Sequence, residues 1–516
     1  MADDATIIHG GWLVTNWDQP GSGSVLENGA LLSRNGLIAE VGTYQALCAR
    51  HPDARHVGDA SYLVVPGLVN AHSHGRGFST YQMGQPDEPL EMRIIEMAFR
   101  AEWGAADTTA PKKANRGYDP YLDTLWSCLK QLASGITTTV HSHIYVDGPV
   151  EQYADLTREV LRGYRDSGIR CAFALGVRDR YTYTFLDDET FLASVPESLR
   201  NSPNLRNIQV EMNFDDYLSL LETLAGEFPE IEFQLSPWNP VFCSDRQMEQ
   251  IVEASRRDGR RVHTHLMETR YQAEFAQRTY GMSWVARLAE IGMLSERFSA
   301  AHGIWMDRAD MALIKESGAQ IVHNPSSNMR LSSGLAPLRQ MLELGIPVAI
   351  GLDSLSMNDD DDMYQDLRLG QQLQSRPGFG NPHIPAHTML GMATRNGATV
   401  SGFDGIGSIA EGNRADVALL SLPEITCGVA NQPLADLLLH RAKAAHVKSV
   451  VVAGKVLVEN GQFSGHDPQA VMRELAEAVS GSGARQSSPV VPEFKRLVRE
   501  HLEAAEEANG TNPATG

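Results

Sequence analysis

The sequence predicts an α/β protein, a TIM-like (β/α)8 barrel with a small β-sandwich domain that is built from both ends of the chain. Apolar strand-like runs alternate with amphipathic helical segments through the middle of the chain. Short strand-like pieces separated by Gly and Asn occur near both ends. Histidines and an aspartate follow several of the apolar runs, where a parallel barrel would bring them to one rim.

The composition is that of an ordinary globular protein, with 42% apolar and 21% charged residues. A length of 516 residues accommodates one large barrel and a satellite domain. The formal charge of −20 would be repelled by nucleic acid and by anionic membrane surfaces, so neither is expected as a partner. No apolar run approaches the length of a membrane span, and residues 1–4 lack the basic start of a signal peptide, so we expect a cytoplasmic protein.

The two ends of the chain are expected to form the small β domain together. Residues 1–64 contain short apolar pieces divided by Asn28-Gly29 and Asn35-Gly36, and Asn-Gly steps are strong hairpin signals. Residues 405–465 contain a matching set of apolar pieces. Neither set can bury a good core alone, so we predict that they meet, with the barrel of residues 65–404 inserted between them.

Eight apolar runs are predicted to be the barrel strands. The first begins at Tyr62 and continues through Val69 as one strand, and most of the others follow a helical segment. Such a succession of strand and helix units is typical of a closed parallel barrel. The other seven runs are residues 136–141, 170–175, 231–235, 261–265, 298–302, 320–323 and 347–353.

Two histidines stand at the end of the first predicted barrel strand. His72 and His74 are two residues apart, so in an extended strand their side chains point to the same face. Two imidazoles fixed in this way can present two nitrogens to one divalent metal ion. Taken alone, the pair would more often be polar residues at a strand exit than metal ligands. The histidines and the aspartate at the ends of later strands favour the metal site: His143, His265, His302, His323 and Asp353.

Five motifs occur in the order that is typical of the amidohydrolase superfamily. The sequence resembles the mononuclear branch of that superfamily, which contains deaminases and dechlorinases such as guanine deaminases, S-adenosylhomocysteine deaminases and triazine hydrolases. The resemblance covers residues 5 to about 465 and implies the barrel fold and hydrolase activity. The motifs are PGLVNAHSH at 66–74, HTHLME at 263–268, AHG at 301–303, HNPSSNMRL at 323–331 and GSIAEGNRAD at 407–416.

The resemblance implies a metal site and the groups that act beside it. The implied ligands are His72, His74, His265 and Asp353. Three imidazoles and a carboxylate suit one divalent ion, for which we expect Zn²⁺, with Fe²⁺ as the alternative. Glu268 is expected to carry protons between water and the leaving group, with Asp353 as the second proton acceptor. His302 is expected to polarise the group under attack or to hold the attacking water.

Two details of the sequence refine the expected site. The segment 233–240 contains no lysine, so the bridging lysine of binuclear relatives is absent and one metal ion per chain is expected. Ser354 stands where the branch usually has glycine, which adds a hydroxyl beside Asp353.

Four residues are candidates for substrate contact, each with a structural alternative. A structural role for His143 is about as well supported as a substrate contact. Barrel packing is the alternative for Arg178 and Trp238. Ser354 completes this set.

Residues 466–516 are predicted to form a helical extension beyond the family core. A capped helix begins near Pro468, residues 481–488 resemble a flexible linker, and apolar residues from Phe494 to Ala505 recur at helical spacing. The second helix must cover an apolar surface, either on its own barrel or on a second subunit. We expect a homodimer or a higher homo-oligomer.

The predicted function is hydrolytic removal of an amino or substituted-amino group from an aromatic nitrogen heterocycle of the purine, pterin or triazine type. The same groups could instead hydrolyse a carbamoyl, urea, thiocarbamate or carbon–chlorine bond. A third alternative is a catalytically silent binding or scaffold protein. The complete ligand set and Glu268 argue against the scaffold, because binding alone does not need them.

Overall fold

The structure is a computed structural model that describes residues 5–17, 24–79, 81–99, 119–144, 149–186, 188–201, 212–480 and 490–508. Its strands in chain order are β1 Thr6–His9, β2 Trp12–Val14, β3 Val25–Glu27, β4 Gly29–Arg34, β5 Leu37–Thr43, β6 Arg55–Val57, β7 Tyr62–Pro66, β8 Leu68–Ser73, β9 Ile136–Ser142, β10 Arg170–Val177, β11 Glu232–Pro237, β12 Val262–Leu266, β13 Phe298–His302, β14 Gln320–His323, β15 Val348–Ile350, β16 Val417–Ser421, β17 Val447–Val452, β18 Lys455–Glu459 and β19 Gln462–Phe463.

The small β domain has two sheets, of which one is built from the N-terminal end and the other combines strands from both chain ends. Within the described residues, one sheet has the order β5-β4-β1-β6 and the other β19-β18-β17-β16-β7-β2-β3. Strand β7 pairs antiparallel with β16, with Val64 opposite Leu419. These two side chains share a buried apolar cluster with Ile8, Leu31 and Val451. The prediction that both ends form one β-sandwich is confirmed, because each end contributes half of this core.

The apolar run 62–69, predicted as one strand, is divided between two sheets. Strand β7 ends at Pro66 in the small domain, and β8 begins at Leu68 in the barrel. Gly67 joins them where a Cβ atom would lie 2.2 Å from Thr137 Oγ1. The prediction of a single strand is wrong because hydrophobic periodicity does not show which sheet a residue joins.

Strands β8 to β15 form the predicted barrel. Each pairs in parallel with the next in chain order. The ring closes where the Asp353 backbone N–H donates to the His72 carbonyl at 2.9 Å. Gly351 allows this approach, because a Cβ atom there would lie 2.8 Å from His72 Cβ. The carboxyl ends of all these strands therefore meet at one rim, and the predicted fold class is confirmed.

Helices cover the outside of the barrel and, along the chain, connect one barrel strand to the next. A typical one, Arg308–Ser317, begins at a capping box on Asp307 and ends at Gly318 with a left-handed φ of 73°. No helix in the described ranges is long and apolar enough to cross a membrane. The others are Tyr44–Arg50, Leu90–Phe99, Pro120–Ala133, Val150–Ser167, Asp188–Ser194, Glu197–Arg200, Phe214–Glu227, Pro240–Phe242, Asp245–Asp258, Arg270–Tyr280, Trp284–Glu290, Pro325–Arg330, Leu338–Glu343, Met363–Leu373, Ala386–Gly391, Met392–Asn396, Gly397–Ser401, Leu422–Thr426, Leu434–Arg441, Ala444–His446, Pro468–Ser480 and Val491–Ala508.

The second helix of the extension, Val491–Ala508, packs on its own chain. Phe494 is fully buried, with ring centroids of Tyr183 and Phe191 at 5.5 and 5.6 Å. Lys495 Nζ pairs with Glu88 at 2.5 Å. Of the two surfaces considered for this helix, it covers the barrel side, so it gives no support to a second subunit. The predicted linker, residues 481–488, lies outside the described residues.

Phe494→Ala should release the helix Val491–Ala508 from the barrel. Truncating a buried phenylalanine typically lowers the free energy of unfolding by roughly 3–5 kcal/mol. A terminal helix that packs through one apolar face can lose its contacts locally while the rest of the protein stays folded. Hydrogen exchange over this helix should become fast while the barrel strands stay protected. Arg496→Ala is the control, because Arg496 is exposed and its ion-pair partners in the described ranges are Glu493 and Glu500 on the same helix. Equal protection in both variants would contradict the assigned packing.

Candidate metal centre and active site

The predicted metal ligands meet at the carboxyl rim of the barrel. Among the described residues, ligand atoms of His72, His265, His302 and Asp353 lie within 4.8 Å of one another. Asp353 Oδ1 is 3.1 Å from His72 Nε2 and 3.0 Å from His74 Nε2. His265 Nε2 is 3.3 Å from His74 Nε2. Three strand ends, those of β8, β12 and β15, therefore bring the four expected ligands into one group, with His302 from β13 beside it.

Backbone carbonyls orient two of the three imidazoles. His74 Nδ1 is 2.7 Å from the Ser142 carbonyl oxygen, and His265 Nδ1 is 2.7 Å from the Trp238 carbonyl oxygen. A carbonyl can only accept, so each Nδ1 carries the proton and each Nε2 offers its lone pair. Contacts of this kind fix the ring orientation of metal-binding histidines.

His72 is held through a second histidine that the sequence analysis did not single out. Its Nδ1 is 2.8 Å from His263 Nε2, and His263 Nδ1 is 2.8 Å from Ser299 Oγ. The serine hydroxyl is 3.4 Å from the Val262 carbonyl, which can accept the last proton of the chain. His72 Nε2 is thus left as an acceptor. The available signal was the His-x-His spacing of His263 and His265, which places both side chains on one strand face.

The donor atoms fit a divalent metal ion. His72 Nε2 and Asp353 Oδ1 are buried and have no hydrogen-bond partner among the described residues. Burial lowers the pKa of His72 to about 4 and the pKa of His265 well below its usual value, so both are neutral at pH 7. Burial raises the pKa of Asp353, but close contact with His72 and His74 outweighs this and holds that pKa well below its usual value. Three neutral imidazoles and one carboxylate are a donor set that zinc or iron accepts.

His302 faces both acidic groups of the site. Its Nδ1 is 2.9 Å from Asn328 Oδ1, which places the ring proton there. Its Nε2 is 3.7 Å from Glu268 Oε1 and 4.0 Å from Asp353 Oδ2. His302 can therefore accept a proton from, or return one to, a molecule held between these carboxylates. Asn328, in the HNPSSNMRL motif, is a second orienting residue that the sequence analysis did not identify.

Backbone strain is concentrated where the strands end at the site. His302, Asp353 and Ser354 have φ values of 75°, 54° and 56°, which non-glycine residues seldom adopt. Ser327 Oγ also donates to Asp353 Oδ2 at 2.5 Å, which fixes the carboxylate. Such conformations persist only where surrounding contacts impose them, and they are typical of functional sites.

Glu268 is a buried carboxyl that can exchange protons near neutral pH. Burial raises its pKa to about 7, while His302 lowers that pKa and Asp353 and Glu91 raise it. The Glu268 backbone N–H donates to Gln272 Oε1 at 2.9 Å, which holds the loop after β12. An acid–base group is most effective when its pKa lies near the working pH.

The site opens into a cleft that can hold a planar ring. The cleft encloses about 790 Å³ of empty space, including its open mouth. Trp238 lies along it and stacks on Phe242, with ring centroids 4.9 Å apart. Its lining is mostly apolar beyond the metal group, and comprises His74, Arg76, Leu90, Arg93, Ile94, Ile144, Trp238, Asn239, Phe242, His265, Glu268, Gln272, Leu331, Asp353, Ser354 and Leu355.

Two of the four predicted substrate contacts, Trp238 and Ser354, line this cleft. Ser354 Oγ, however, accepts from the His74 backbone N–H at 3.0 Å and lies 3.1 Å from Ser73 Oγ. The added hydroxyl thus ties the segment after β15 to the segment that carries His74. Substrate contact stays a prediction for both residues.

The other two predicted contacts lie behind the cleft wall. His143 Nδ1 is 3.1 Å from His141 Nε2, and its Nε2 is 3.0 Å from Thr157 Oγ1. This favours the structural alternative for His143, since both ring nitrogens are engaged. The Arg178 guanidinium is buried 5.8 Å from the centroid of the Trp238 ring, so it backs that ring instead of lining the cleft.

Comparisons with known proteins agree with the fold. A model of the amidohydrolase family matches residues 63–457, and a model of a bacterial imidazolonepropionase-like composite domain matches residues 29–54. A 5-methylthioadenosine/S-adenosylhomocysteine deaminase of Pyrococcus furiosus is 28% identical over 453 residues, which cover 87% of this chain and 95% of that protein.

Solved structures show the same fold at lower identity. An adenosine deaminase from Xanthomonas campestris with bound zinc superposes with a TM-score of 0.72 at 23% identity, covering 97% of this chain and 98% of its own. An atrazine chlorohydrolase from Arthrobacter aurescens TC1 complexed with zinc gives 0.74 at 23% identity, covering 92% and 100%.

Replacing His72 or His265 by alanine should abolish binding of a divalent metal ion. Each removes one of the four expected donors, and a site with fewer protein ligands holds a divalent ion more weakly. Metal content after purification, measured by elemental analysis, should fall to a small fraction of one equivalent. His383→Ala serves as the control, since His383 is exposed and lies outside the cleft. A full equivalent of metal in both site variants would refute the ligand assignment.

Glu268→Gln should stabilise the metal-free protein at alkaline pH. The folded pKa of about 7 lies above the usual 4.5, so the folded state holds the proton more tightly, and its stability falls as pH rises through this window. Glutamine removes this effect, which amounts to about 3 kcal/mol above pH 7. Urea unfolding of the chelated protein at pH 5 and pH 8 measures it. The variant should gain stability relative to the parent only at pH 8, and an equal difference at both pH values would rule out the raised pKa.

Proposed function

Because the chain belongs to the amidohydrolase family, we propose that it binds one zinc ion through His72, His74, His265 and Asp353 and removes an amino group from an aromatic nitrogen heterocycle by hydrolysis. The family match over residues 63–457 confirms the predicted class, a hydrolase acting on carbon–nitrogen bonds. The expected ligand set and Glu268 argue against the scaffold alternative, because a protein that only binds a partner needs neither.

Zinc is preferred over iron for the metal. The donor set accepts either ion. The adenosine deaminase and the atrazine chlorohydrolase of the same fold both contain zinc. When bound, such an ion lowers the pKa of a coordinated water molecule toward neutrality and so supplies a nucleophile.

The position of Glu268 is the observation that carries the proposal of deamination. An amine leaves a ring only after protonation, whereas chloride and thiolate leave without a proton. Glu268 faces the cleft with a pKa of about 7, so it can protonate the ring and then the leaving nitrogen. Asp353 and His302 remain to accept the proton of the attacking water.

The reaction can be written with every proton placed. The water oxygen forms a bond to the ring carbon that bears the amino group, and its proton passes to Asp353 or His302. Glu268 protonates the adjacent ring nitrogen. The Glu268 carboxylate then takes the second water proton from the new hydroxyl group and delivers it to the amino nitrogen. The carbon–nitrogen bond breaks, ammonia departs, and the ring keeps a carbonyl oxygen and a protonated nitrogen. The proton held by Asp353 or His302 returns to Glu268.

The cleft supports a flat heterocycle as substrate. Trp238 and the apolar lining can pack against the faces of a ring, and Gln272 Nε2 is a buried donor without a hydrogen-bond partner among the described residues. Of the known relatives, the deaminase from Pyrococcus furiosus acts on a purine nucleoside by name, which supports a purine-type ring. In this proposal Arg178 acts by backing Trp238, and Ser354 acts by positioning His74.

The cellular setting is proposed on less specific grounds. The net charge of −20 supports a small-molecule substrate over nucleic acid or membrane. We expect a cytoplasmic homo-oligomer, although the apolar face of the helix Val491–Ala508 is covered by its own chain. Light scattering of the purified protein measures the oligomeric state directly.

Glu268→Gln should slow release of ammonia from an amino heterocycle by about 10²–10⁴-fold, while it slows hydrolysis of the chloro analogue on the same ring by less than about tenfold. The physical reason is that only the amine needs a proton from Glu268 to leave. The measurement is kcat/KM for both substrates with the zinc-loaded parent and variant. Zinc content must be equal in the two proteins. Equal slowing of both substrates would show that Glu268 acts on the water or on the ring and not on the leaving nitrogen, and would bring cleavage of chloro, thiolate or carbamoyl groups level with deamination.

A further inference from the structure

Arg93 is a cation in the cleft that the proposed reaction does not use. It lies on the helix Leu90–Phe99 and lines the same cleft as Glu268 and Asp353. Within the described part of the chain, its guanidinium makes no hydrogen bond or ion pair. A guanidinium presents five donors and stays charged at any working pH, so this side chain offers strong unfilled hydrogen-bonding capacity.

The charged groups around Arg93 are already committed to other partners. Asp353 belongs to the metal group, and Asp87 accepts two hydrogen bonds of 3.0 Å from Arg330. The neighbouring cation Arg76 is paired with Asp123 at 2.6 Å. The acids that face Arg93 therefore do not neutralise it.

The helix that carries Arg93 is held from behind. Leu90, Arg93 and Ile94 line the cleft, at the i, i+3 and i+4 spacing of one helix face. Met92 and Ile95 turn the other way and share a buried cluster with Phe494 of the C-terminal helix. Because the backbone is fixed, the Arg93 side chain is presented to the cleft at a reduced entropic cost of binding.

We propose that Arg93 binds a carboxylate carried by the heterocyclic substrate, so that the preferred substrate is an anionic ring amine. A single guanidinium matches a carboxylate through two parallel hydrogen bonds. Arg93 and Asp353 line the same cleft, so a carboxylate on the ring or close to it can meet Arg93 while the ring lies beside the metal group. This inference rests on the proposed function only in taking a heterocycle as the ligand.

The test compares a ring carboxylate with its neutral carboxamide as ligands of the zinc-loaded Glu268→Gln protein, in which turnover is slow. Purine, pteridine and triazine amines are each titrated in both forms by calorimetry. For the best-bound ring, the carboxylate should bind about 10- to 100-fold more tightly than the carboxamide, the range expected of a charge-assisted hydrogen bond. Adding Arg93→Gln should reduce this ratio to within about twofold of unity, and Arg93→Lys should restore part of it.

Arg257→Gln is the matched control, because it removes the same charge from an exposed side chain whose ion-pair partner among the described residues is Asp258. It should leave the ratio unchanged. Zinc content and thermal unfolding show whether each Arg93 variant is folded. If Arg93→Gln does not fold, the proposal is tested by the carboxylate-to-carboxamide affinity ratio of the parent and of Arg93→Lys.

Two results would overturn the proposal. A ratio near unity in the parent for every ring would show that no carboxylate is recognised. A ratio that persists in Arg93→Gln would show that the zinc ion or another cation binds it. Ammonia release by the unmodified enzyme is assayed separately. A carboxylate preference without ammonia release would refute deamination alone, and ammonia release without the preference would refute the role of Arg93 alone.

Discussion

The site depends on the hydrogen bond that closes the barrel, from the Asp353 backbone N–H to the His72 carbonyl. It joins the end of the eighth barrel strand to the first, and so brings together two ligands that are far apart in sequence. Gly351 makes the approach possible, since a side chain there would collide with His72. A catalytic group of this kind needs positions held within about half an ångström, which a closed ring of strands supplies better than loops do.

Around this closure, protein groups occupy every ligand nitrogen that is not needed for the metal. Carbonyl oxygens hold His74 and His265, and His263 holds His72. The resulting set of neutral imidazoles around an ionised Asp353 is costly without a cation, because buried polar atoms are left unsatisfied. The same burial that makes the site expensive raises the pKa of Glu268 and so prepares it to carry protons.

The wall of the cleft is likewise held by packing elsewhere in the chain. One wall comes from the helix Leu90–Phe99, which is held from behind by the C-terminal helix through Phe494. The extension beyond the family core therefore supports this wall of the cleft, because it packs against the helix that carries Arg93. Ser354 also acts indirectly on the site. Its hydroxyl accepts a hydrogen bond from the His74 backbone N–H, which a glycine at this position could not do.

The sequence by itself determined the barrel and the β-sandwich from both chain ends, because strand alternation is a local property, and its motifs singled out the four expected ligands and Glu268 as candidates. Only the tertiary structure decided that the run 62–69 divides at Gly67, since hydrophobicity does not name the sheet that buries a residue. The tertiary structure also decided which groups contact His143 and His263, and that Arg93 has no hydrogen-bond or ion-pair partner among the described residues. Most of these contacts join different strands and helices. The packing of the whole chain decides which of them meet.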